Sequence, residues 1–204
     1  MDKLSDKAFR LILDSEGLNQ PSKWPGGNSG ITIGIGYDLG QMKAEQFDSD
    51  WGDVLSATQL QLLRTAIGLK GVNAKNRAPA FSGITIKRAD AEKVFAERTI
   101  PIFQAQTEQA FPGVDQLPAD AQGALVSLVY NRGPAMTDNS PDDRRREMRA
   151  IRDAVAKKDL QEIANQLRAM KRLWVGKNLP GLLKRRDAEA ALVESSIASA
   201  QGAT

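Results

Sequence analysis

The chain has 204 residues, 41% of them hydrophobic and 26% charged, with a formal net charge of +3. It contains no cysteine and no histidine, which excludes Cys nucleophiles, disulfide scaffolds and Ser-His-Asp hydrolysis. A zinc hydrolase is also disfavoured, because catalytic zinc is held mainly by His or Cys. Acid–base chemistry therefore has to use Asp, Glu, Lys or Tyr. No apolar run approaches a membrane span, and the N-terminus has no signal-peptide core.

The charge is unevenly distributed along the chain. Residues 144–186 contain 14 Lys and Arg against 4 Asp and Glu, so this segment carries +10 and the remainder −7. The excess predicts an anionic partner, such as an anionic cell-envelope surface or polymer, and it fits solvated helix faces equally well. Met148, Ile151 and Val155 give part of the segment an amphipathic pattern that suits a membrane surface. A nucleic-acid partner is disfavoured, because few aromatics accompany the charge.

The N-terminal part predicts one helix followed by a β-hairpin. Apolar residues at helical spacing predict a helix over residues 4–15, with Gly17 as its C-cap. Residues 18–30 have the composition of a loop or hairpin turn. The β-branched stretch Ile31–Ile35 predicts a short strand, and Asp38 is expected just past it.

The middle of the chain predicts helices separated by loops. Residues 41–55 are irregular, with one short helix expected. Residues 56–69 read as a helix, and residues 71–83 as a polar loop. A long helix or two helices are expected over residues 85–111, because Pro101 forces a kink or a break.

The C-terminal half predicts a series of helices. The strongest helical pattern lies at residues 118–132, which reads as a central buried helix. Ser140-Pro141 predicts the N-terminus of a helix over residues 140–157, and a capping-box-like start predicts another over residues 159–173. A last helix is expected over residues 182–199, and the tail, residues 201–204, is expected to fray.

Two acids flank the glycine-rich turn and strand. Glu16 precedes this stretch and Asp38 follows it. Glycoside hydrolysis needs such a pair, because one carboxyl protonates the leaving oxygen and the other serves a water or the sugar carbon. Two solvated surface acids and an ordinary β-branched strand residue, Thr32, explain the same residues without any catalysis.

This stretch resembles the phage-type lysozymes. Glu16-Gly17 followed by TIGIGY from Thr32 is similar to that family's signature, in which the first helix ends in the catalytic Glu and a Thr lies on the following hairpin. Residues 128–133, LVYNRG, resemble its central-helix segment lining the cleft. Trp174 followed by GLLKRRDAE from Gly181 resembles its closing helix with an arginine pair. Residues 41–115 carry no recognised motif.

The resemblance departs from the common phage enzymes at one position. There the catalytic Asp lies six residues before the Thr, a place that Gly26 holds in this chain. Asp38 instead lies six residues after Thr32. This spacing resembles the pesticin-like muramidase arrangement, so Asp38 takes the role of the second acid and Gly26 none.

The resemblance implies an α+β, mostly α, lysozyme-like fold in a single domain, residues 1–204. A small β-hairpin lobe, roughly residues 14–85, and a larger helical lobe would surround a cleft. It implies a muramidase that cleaves the β-1,4 bond between N-acetylmuramic acid and N-acetylglucosamine, without a cofactor or metal. The sequence leaves the oligomeric state open, and nothing in it demands more than a monomer. Glu16 would be the general acid, and Asp38 with Thr32 would activate a water, inverting the anomeric centre.

The resemblance also suggests supporting residues. Tyr37 and Trp24 are candidates for stacking on sugar rings, and packing explains either as well. Asn131 is a candidate for binding an N-acetyl group or the catalytic water, or it caps a helix. Arg185 or Arg186 is expected to pair with Glu16 and position it.

The expected setting is a phage endolysin. Made in the host cytoplasm without a signal peptide, it would act on peptidoglycan in the periplasm after release by another factor. Three rival functions stay open: a lytic transglycosylase that uses Glu16 alone, a non-catalytic glycan-binding relative, and a nucleic-acid binder that uses the basic segment.

Overall fold

The chain divides into two structural units. The computed structural model describes residue 1 and residues 3–201, the last three of these by backbone alone. A helical unit comprises Met1–Ser15 and Ile102–Thr204, and a hairpin unit comprises Glu16–Pro101. The tail that the sequence predicts to fray, residues 201–204, lies outside the described residues except for the backbone of residue 201.

Helices dominate the described residues, and one two-stranded antiparallel sheet accompanies them. The α-helices are, in chain order, α1 (Asp6–Asp14), α2 (Ala44–Trp51), α3 (Ala57–Arg64), α4 (Gly71–Arg77), α5 (Arg88–Val94), α6 (Ile100–Ala110), α7 (Ala119–Arg132), α8 (Arg146–Ala156), α9 (Leu160–Ala169) and α10 (Pro180–Gln201). The strands are β1 (Thr32–Ile33) and β2 (Tyr37–Asp38). This is the mostly helical α+β class expected from the sequence. None of the described helices is long and apolar enough to span a bilayer.

The core of the helical unit is built on α7. Ala121 and every residue from 123 to 129 are buried, so this helix has no solvent-facing side over that run. A helix that is apolar all round must be enclosed by its neighbours, and α1 and α10 pack against it. Gly133 ends the helix with a φ of 73°. The predicted central helix is confirmed.

The contact between α1 and α7 depends on a glycine. A Cβ added at Gly123 would overlap the Cβ of Ala8. Backbone on both sides of this contact lies in regular helix, so the two helices would have to move apart to admit a methyl group.

Gly123→Ala is therefore expected to destabilise the protein by about 1–3 kcal/mol, the usual effect of overpacking. The urea unfolding midpoint, followed by circular dichroism, measures this. Gly181→Ala is the matched control, because it also lies in a helix and a Cβ there meets nothing within 4 Å. Equal midpoints for the two variants would contradict the prediction.

The apolar face of the basic segment is covered. Met148, Ile151 and Val155 are 0–1% exposed, and their helix, α8, packs on α9. The amphipathic pattern thus belongs to the protein core, and its interpretation as a membrane-binding face is wrong. Asp159 starts α9 as predicted, because its side chain accepts a hydrogen bond from Glu162 N at 2.9 Å.

The hairpin unit packs its sheet on aromatic residues. Ile33, Phe47 and Trp51 are fully buried. Gly34 lies in the turn with a φ of 56°, and a Cβ there would be 2.7 Å from the Trp51 ring. Glycine is required at this position for both reasons.

Pro101 does not break the helical chain. A π-helical turn, Phe95–Thr99, connects α5 directly to α6, and Pro101 lies in the first turn of α6. Proline has no N–H and its ring crowds the carbonyl four residues earlier, so a widened turn at that point accommodates it. The expected break is therefore absent, and a π-helical turn is found next to the proline instead.

Two predicted boundaries are wrong. Residues 71–77 form helix α4 instead of a polar loop, because Ala74 packs into the core despite the polar composition around it. The helix predicted from residue 140 begins at Arg146. Asp138 accepts hydrogen bonds from the N–H groups of Ser140 and Arg144, which holds this segment as a non-helical loop.

Candidate active site

The hairpin brings Thr32 and Asp38 together. In the antiparallel register Thr32 lies directly opposite Asp38, and Ile33 lies opposite Tyr37. Directly opposed residues project to the same face, with Cβ atoms about 4.5–5.5 Å apart. Thr32 is 7% exposed and Asp38 is half-buried. Asp38 follows the first strand, as expected, and belongs to the second strand of the hairpin.

Both carboxylate oxygens of Asp38 accept backbone hydrogen bonds. Gly40 N donates to Oδ1 at 2.8 Å, and Gly30 N donates to Oδ2 at 3.2 Å. Asp38 thereby caps the short 3₁₀ turn Leu39–Gln41. An ionised carboxylate has about four acceptor sites, so each oxygen retains a lone pair for a water.

The loop around Asp38 is closely packed. A Cβ added at Gly30 would overlap Asp38 Oδ1 and lie 2.5 Å from Gly40 N. The backbone that approaches Gly30 most closely is that of Gly40. This carboxylate therefore organises the loop in addition to any chemical role.

Glu16 is half-buried and follows directly after α1. Ser15 caps that helix in a right-handed conformation, so the predicted C-cap role of Gly17 is wrong. Three residues after Glu16, Asn19 pairs with Gly34 in an isolated antiparallel bridge, with N–O distances of 2.7 and 3.0 Å. This bridge ties the segment that follows Glu16 to the hairpin that carries the Thr32–Asp38 pair.

The two aromatic candidates differ in their environments. Tyr37 is 8% exposed, its hydroxyl donates to Asp50 Oδ2 at 2.8 Å, and its ring meets Trp51 edge-on. Burial and that hydrogen bond raise the pKa of Tyr37. This placement favours packing over sugar stacking. Trp24 is half-buried, donates to Ser29 O at 2.9 Å and has Lys75 Nζ 5.9 Å from its ring centroid.

Arg186 lies in a buried polar cluster of the helical unit. It is fully buried, and its Nη2 donates to Glu189 Oε1 at 2.7 Å and to Asn131 Oδ1 at 3.3 Å. Ser127 Oγ donates to the same Glu189 oxygen at 2.6 Å. Burial lowers the pKa of Arg186 and raises that of Glu189, and each charge opposes the shift of the other.

Arg185 belongs to the same cluster. Its Nε donates to Ser127 Oγ at 3.3 Å, and its guanidinium lies 5.6 Å from the Tyr130 ring centroid. The pairing of Glu16 with Arg185 or Arg186 stays a prediction. Neither Ser127 nor Glu189 was predicted from the sequence as part of a polar cluster. Their signals were a serine within an apolar helix and an acid spaced three and four residues after two arginines.

The described residues thus form a mostly helical α+β protein whose small hairpin carries a threonine–aspartate pair. Among them, no three Asp or Glu side chains group where a metal ion could bind. The chain belongs to the family described as "Domain of unknown function (DUF8812)", whose profile matches residues 18–186. The matched span begins two residues after Glu16.

No curated protein matches the chain. Among solved structures it is similar to the active form of the P1 phage endolysin Lyz, with 20% sequence identity and a TM-score of 0.42. The alignment covers 84% of this chain and 98% of that chain.

Proposed function

We propose that this protein is a peptidoglycan hydrolase: a muramidase that cleaves the β-1,4 bond between N-acetylmuramic acid and N-acetylglucosamine. The observation that carries the proposal is the register of the hairpin, which sets Thr32 opposite a half-buried Asp38. The Asn19–Gly34 bridge fastens the segment after Glu16 to this same hairpin. Two acids and a hydroxyl suffice for glycoside hydrolysis in a chain without His or Cys.

Glu16 is the general acid in this proposal. Its carboxyl group donates a proton to the glycosidic oxygen as the bond between that oxygen and the anomeric carbon breaks. The leaving sugar departs as a neutral alcohol, and positive charge develops on the ring that keeps the anomeric carbon.

Asp38 and Thr32 activate and orient the attacking water in this proposal. The free lone pairs of the Asp38 carboxylate accept a proton from the water as its oxygen bonds to the anomeric carbon, and the Thr32 hydroxyl orients that water. Attack from the face opposite the leaving group inverts the anomeric centre. Such a mechanism requires a carboxyl separation of about 6.5–9.5 Å in the productive complex.

The setting we propose is a phage endolysin. The protein would be made in the host cytoplasm and would act on the periplasmic cell wall after release by another factor. The basic segment, residues 144–186, would give it affinity for anionic cell-envelope polymers through its exposed side chains.

The second candidate is a lytic transglycosylase. Asp38 already has a structural role, because its two carboxylate oxygens accept hydrogen bonds from the backbone amides of Gly30 and Gly40. A transglycosylase needs Glu16 alone, since the muramic acid C6 hydroxyl attacks in place of water. Asp38→Asn would then leave the rate largely intact in variants that stay folded.

The mass of fragments released from purified peptidoglycan by the wild-type protein distinguishes these candidates. We expect fragments with an ordinary reducing muramic acid end. Fragments lighter by one water, with an anhydro end, would establish transglycosylation and remove Asp38 from the chemistry. Absence of soluble fragments from folded protein would overturn the proposal and leave glycan binding or nucleic-acid binding as alternatives.

A further inference from the structure

A cavity of about 440 Å³ lies within the helical unit at the C-terminal end of α7. Its lining includes Asn131, Arg132, Arg144, Arg145 and Trp174. Arginines at a helix C-terminus commonly serve as caps, because the terminal carbonyls carry partial negative charge. This structural role accounts for part of the arrangement: Arg145 Nη2 donates to the carbonyl of Arg132 at 2.9 Å.

Arg132 and Arg145 each use one guanidinium nitrogen in a hydrogen bond to a backbone carbonyl, which leaves a second terminal nitrogen on each. Arg132 Nη2 donates to the carbonyl of Arg144 at 2.6 Å. The Nη1 atoms of Arg132 and Arg145 are both buried and have no hydrogen-bond partner among the described residues. Buried donors are nearly always satisfied, and an unsatisfied donor on a charged group is especially unfavourable.

Arginines outnumber carboxylates in the lining of the cavity. Three arginines line it, against one carboxylate, Asp138. Asp138 already accepts hydrogen bonds from Ser140 N and Arg144 N, which lower its pKa and keep it ionised. Burial, together with the charges of Arg145, Arg186 and Arg144, lowers the pKa of Arg132 to about 10.

The arginines are held in place before any ligand arrives. The guanidinium groups of Arg132 and Arg186 lie 5.2 and 5.9 Å from the centroid of the Trp174 ring. Arg186 also donates to Asn131 Oδ1, so the donor end of that amide remains for a ligand. Preorganised donors bind a ligand with less loss of side-chain freedom.

We propose that this cavity binds an anionic group, a carboxylate or a phosphate, through the guanidinium groups of Arg132 and Arg145. A guanidinium presents paired N–H donors that match the oxygens of either anion. The cavity volume is that of a site for a small ligand or one unit of a polymer. The identity of the molecule that carries the anion rests on the proposed function: if that function holds, the anion is the carboxylate of the muramic acid unit. The alternative is inorganic phosphate or the phosphate of a polymer.

The test is a binding titration of the full chain, by calorimetry and thermal shift at matched ionic strength. The probes are inorganic phosphate, N-acetylmuramic acid, neutral N-acetylglucosamine and sodium chloride. We expect phosphate or N-acetylmuramic acid, but not the other two, to bind and stabilise the wild type. Arg145→Gln should weaken that binding about tenfold or more, the usual loss for a hydrogen bond to a charged group.

Two further variants keep the test decisive. Arg144→Gln keeps the backbone hydrogen bonds of Arg144, so this variant should fold. It removes one positive charge from the cavity and should therefore weaken anion binding, which provides a test even if Arg145→Gln does not fold. Arg10→Gln on α1 is the control, because that arginine is exposed and lies outside both the cavity and the basic segment. Binding of N-acetylmuramic acid without phosphate identifies a carboxylate site, and the reverse identifies a phosphate site.

Two outcomes overturn the proposal: phosphate and N-acetylmuramic acid act no differently from chloride, or Arg10→Gln weakens binding as much as the cavity variants. The titration needs no glycan cleavage, and the fragment-mass experiment needs no anion binding. Failure of one proposal is therefore distinguishable from failure of the other.

Discussion

Glu16→Gln is expected to reduce the rate of peptidoglycan solubilisation about 10²–10⁴-fold, the usual contribution of a general acid. Glutamine has nearly the same shape and can still donate and accept hydrogen bonds, but it has no acidic proton to transfer. Binding of the glycan should persist, because the change removes a proton and little contact surface. The measurement is the initial rate of soluble-fragment release, with thermal unfolding of each variant recorded in parallel.

The matched control for this variant is Glu45→Gln. Glu45 is an exposed acid in the first turn of α2, in the same hairpin unit as Glu16. It should release fragments at the wild-type rate. A Glu16→Gln variant that is folded and equally active would remove Glu16 from the chemistry and, with it, both the hydrolase and the transglycosylase mechanisms.

Glu189→Ala is expected to destabilise the protein by about 3–5 kcal/mol, the usual effect of breaking a buried ion pair from one side. Glu189 and Arg186 are both fully buried, 2.7 Å apart. Alanine would leave the guanidinium of Arg186 without its carboxylate and Ser127 Oγ without its acceptor. The change removes the Ser127–Glu189 hydrogen bond between α7 and α10 and the Arg186–Glu189 hydrogen bond within α10.

The control for this prediction lies on the same helix. Glu194 pairs with Arg168 at the surface, with side-chain exposures of 36% and 40%. Solvent screens such a pair, so Glu194→Ala should change the free energy of unfolding by about 0–1 kcal/mol. Urea midpoints followed by circular dichroism separate the two variants. Similar midpoints would mean that the buried pair contributes no more than an exposed one.

Features of the fold that depend on local signals could be predicted from the sequence. The apolar pattern of α7 persists over its whole length, and Gly133 ends it. The start of α9 follows from Asp159, whose side chain caps the helix through neighbouring backbone. Each signal lies within a few residues of the feature that it predicts, and long-range packing reinforces it.

Features that depend on distant contacts could not be predicted. Helix α4 has a polar composition and forms with Ala74 fully buried. The start of α8 is displaced because Asp138 engages backbone amides up to six residues away. The helical run continues through Pro101 because of a π-helical turn, which no short sequence pattern predicts.

The residues of the candidate site could be predicted from the sequence, but their arrangement in space could not. The resemblance singled out Thr32 and Asp38, and the sequence placed Asp38 just past the first strand, but it did not indicate that the two residues pair across the sheet. That pairing depends on a turn through Gly34 and Gly36, both with positive φ. The burial of Tyr37 depends on Asp50 and Trp51, which the sequence offered no reason to connect with it.

The double task of Asp38 affects how related sequences are to be interpreted. Losing this acid would release the amides of Gly30 and Gly40 and loosen the loop, whether or not the molecule cleaves glycans. Under the proposed function, a relative that had lost its enzymatic activity would therefore still need the aspartate to hold this loop. In a comparison of natural variants, the position of Glu16 would then be the more informative indicator of which relatives remain active.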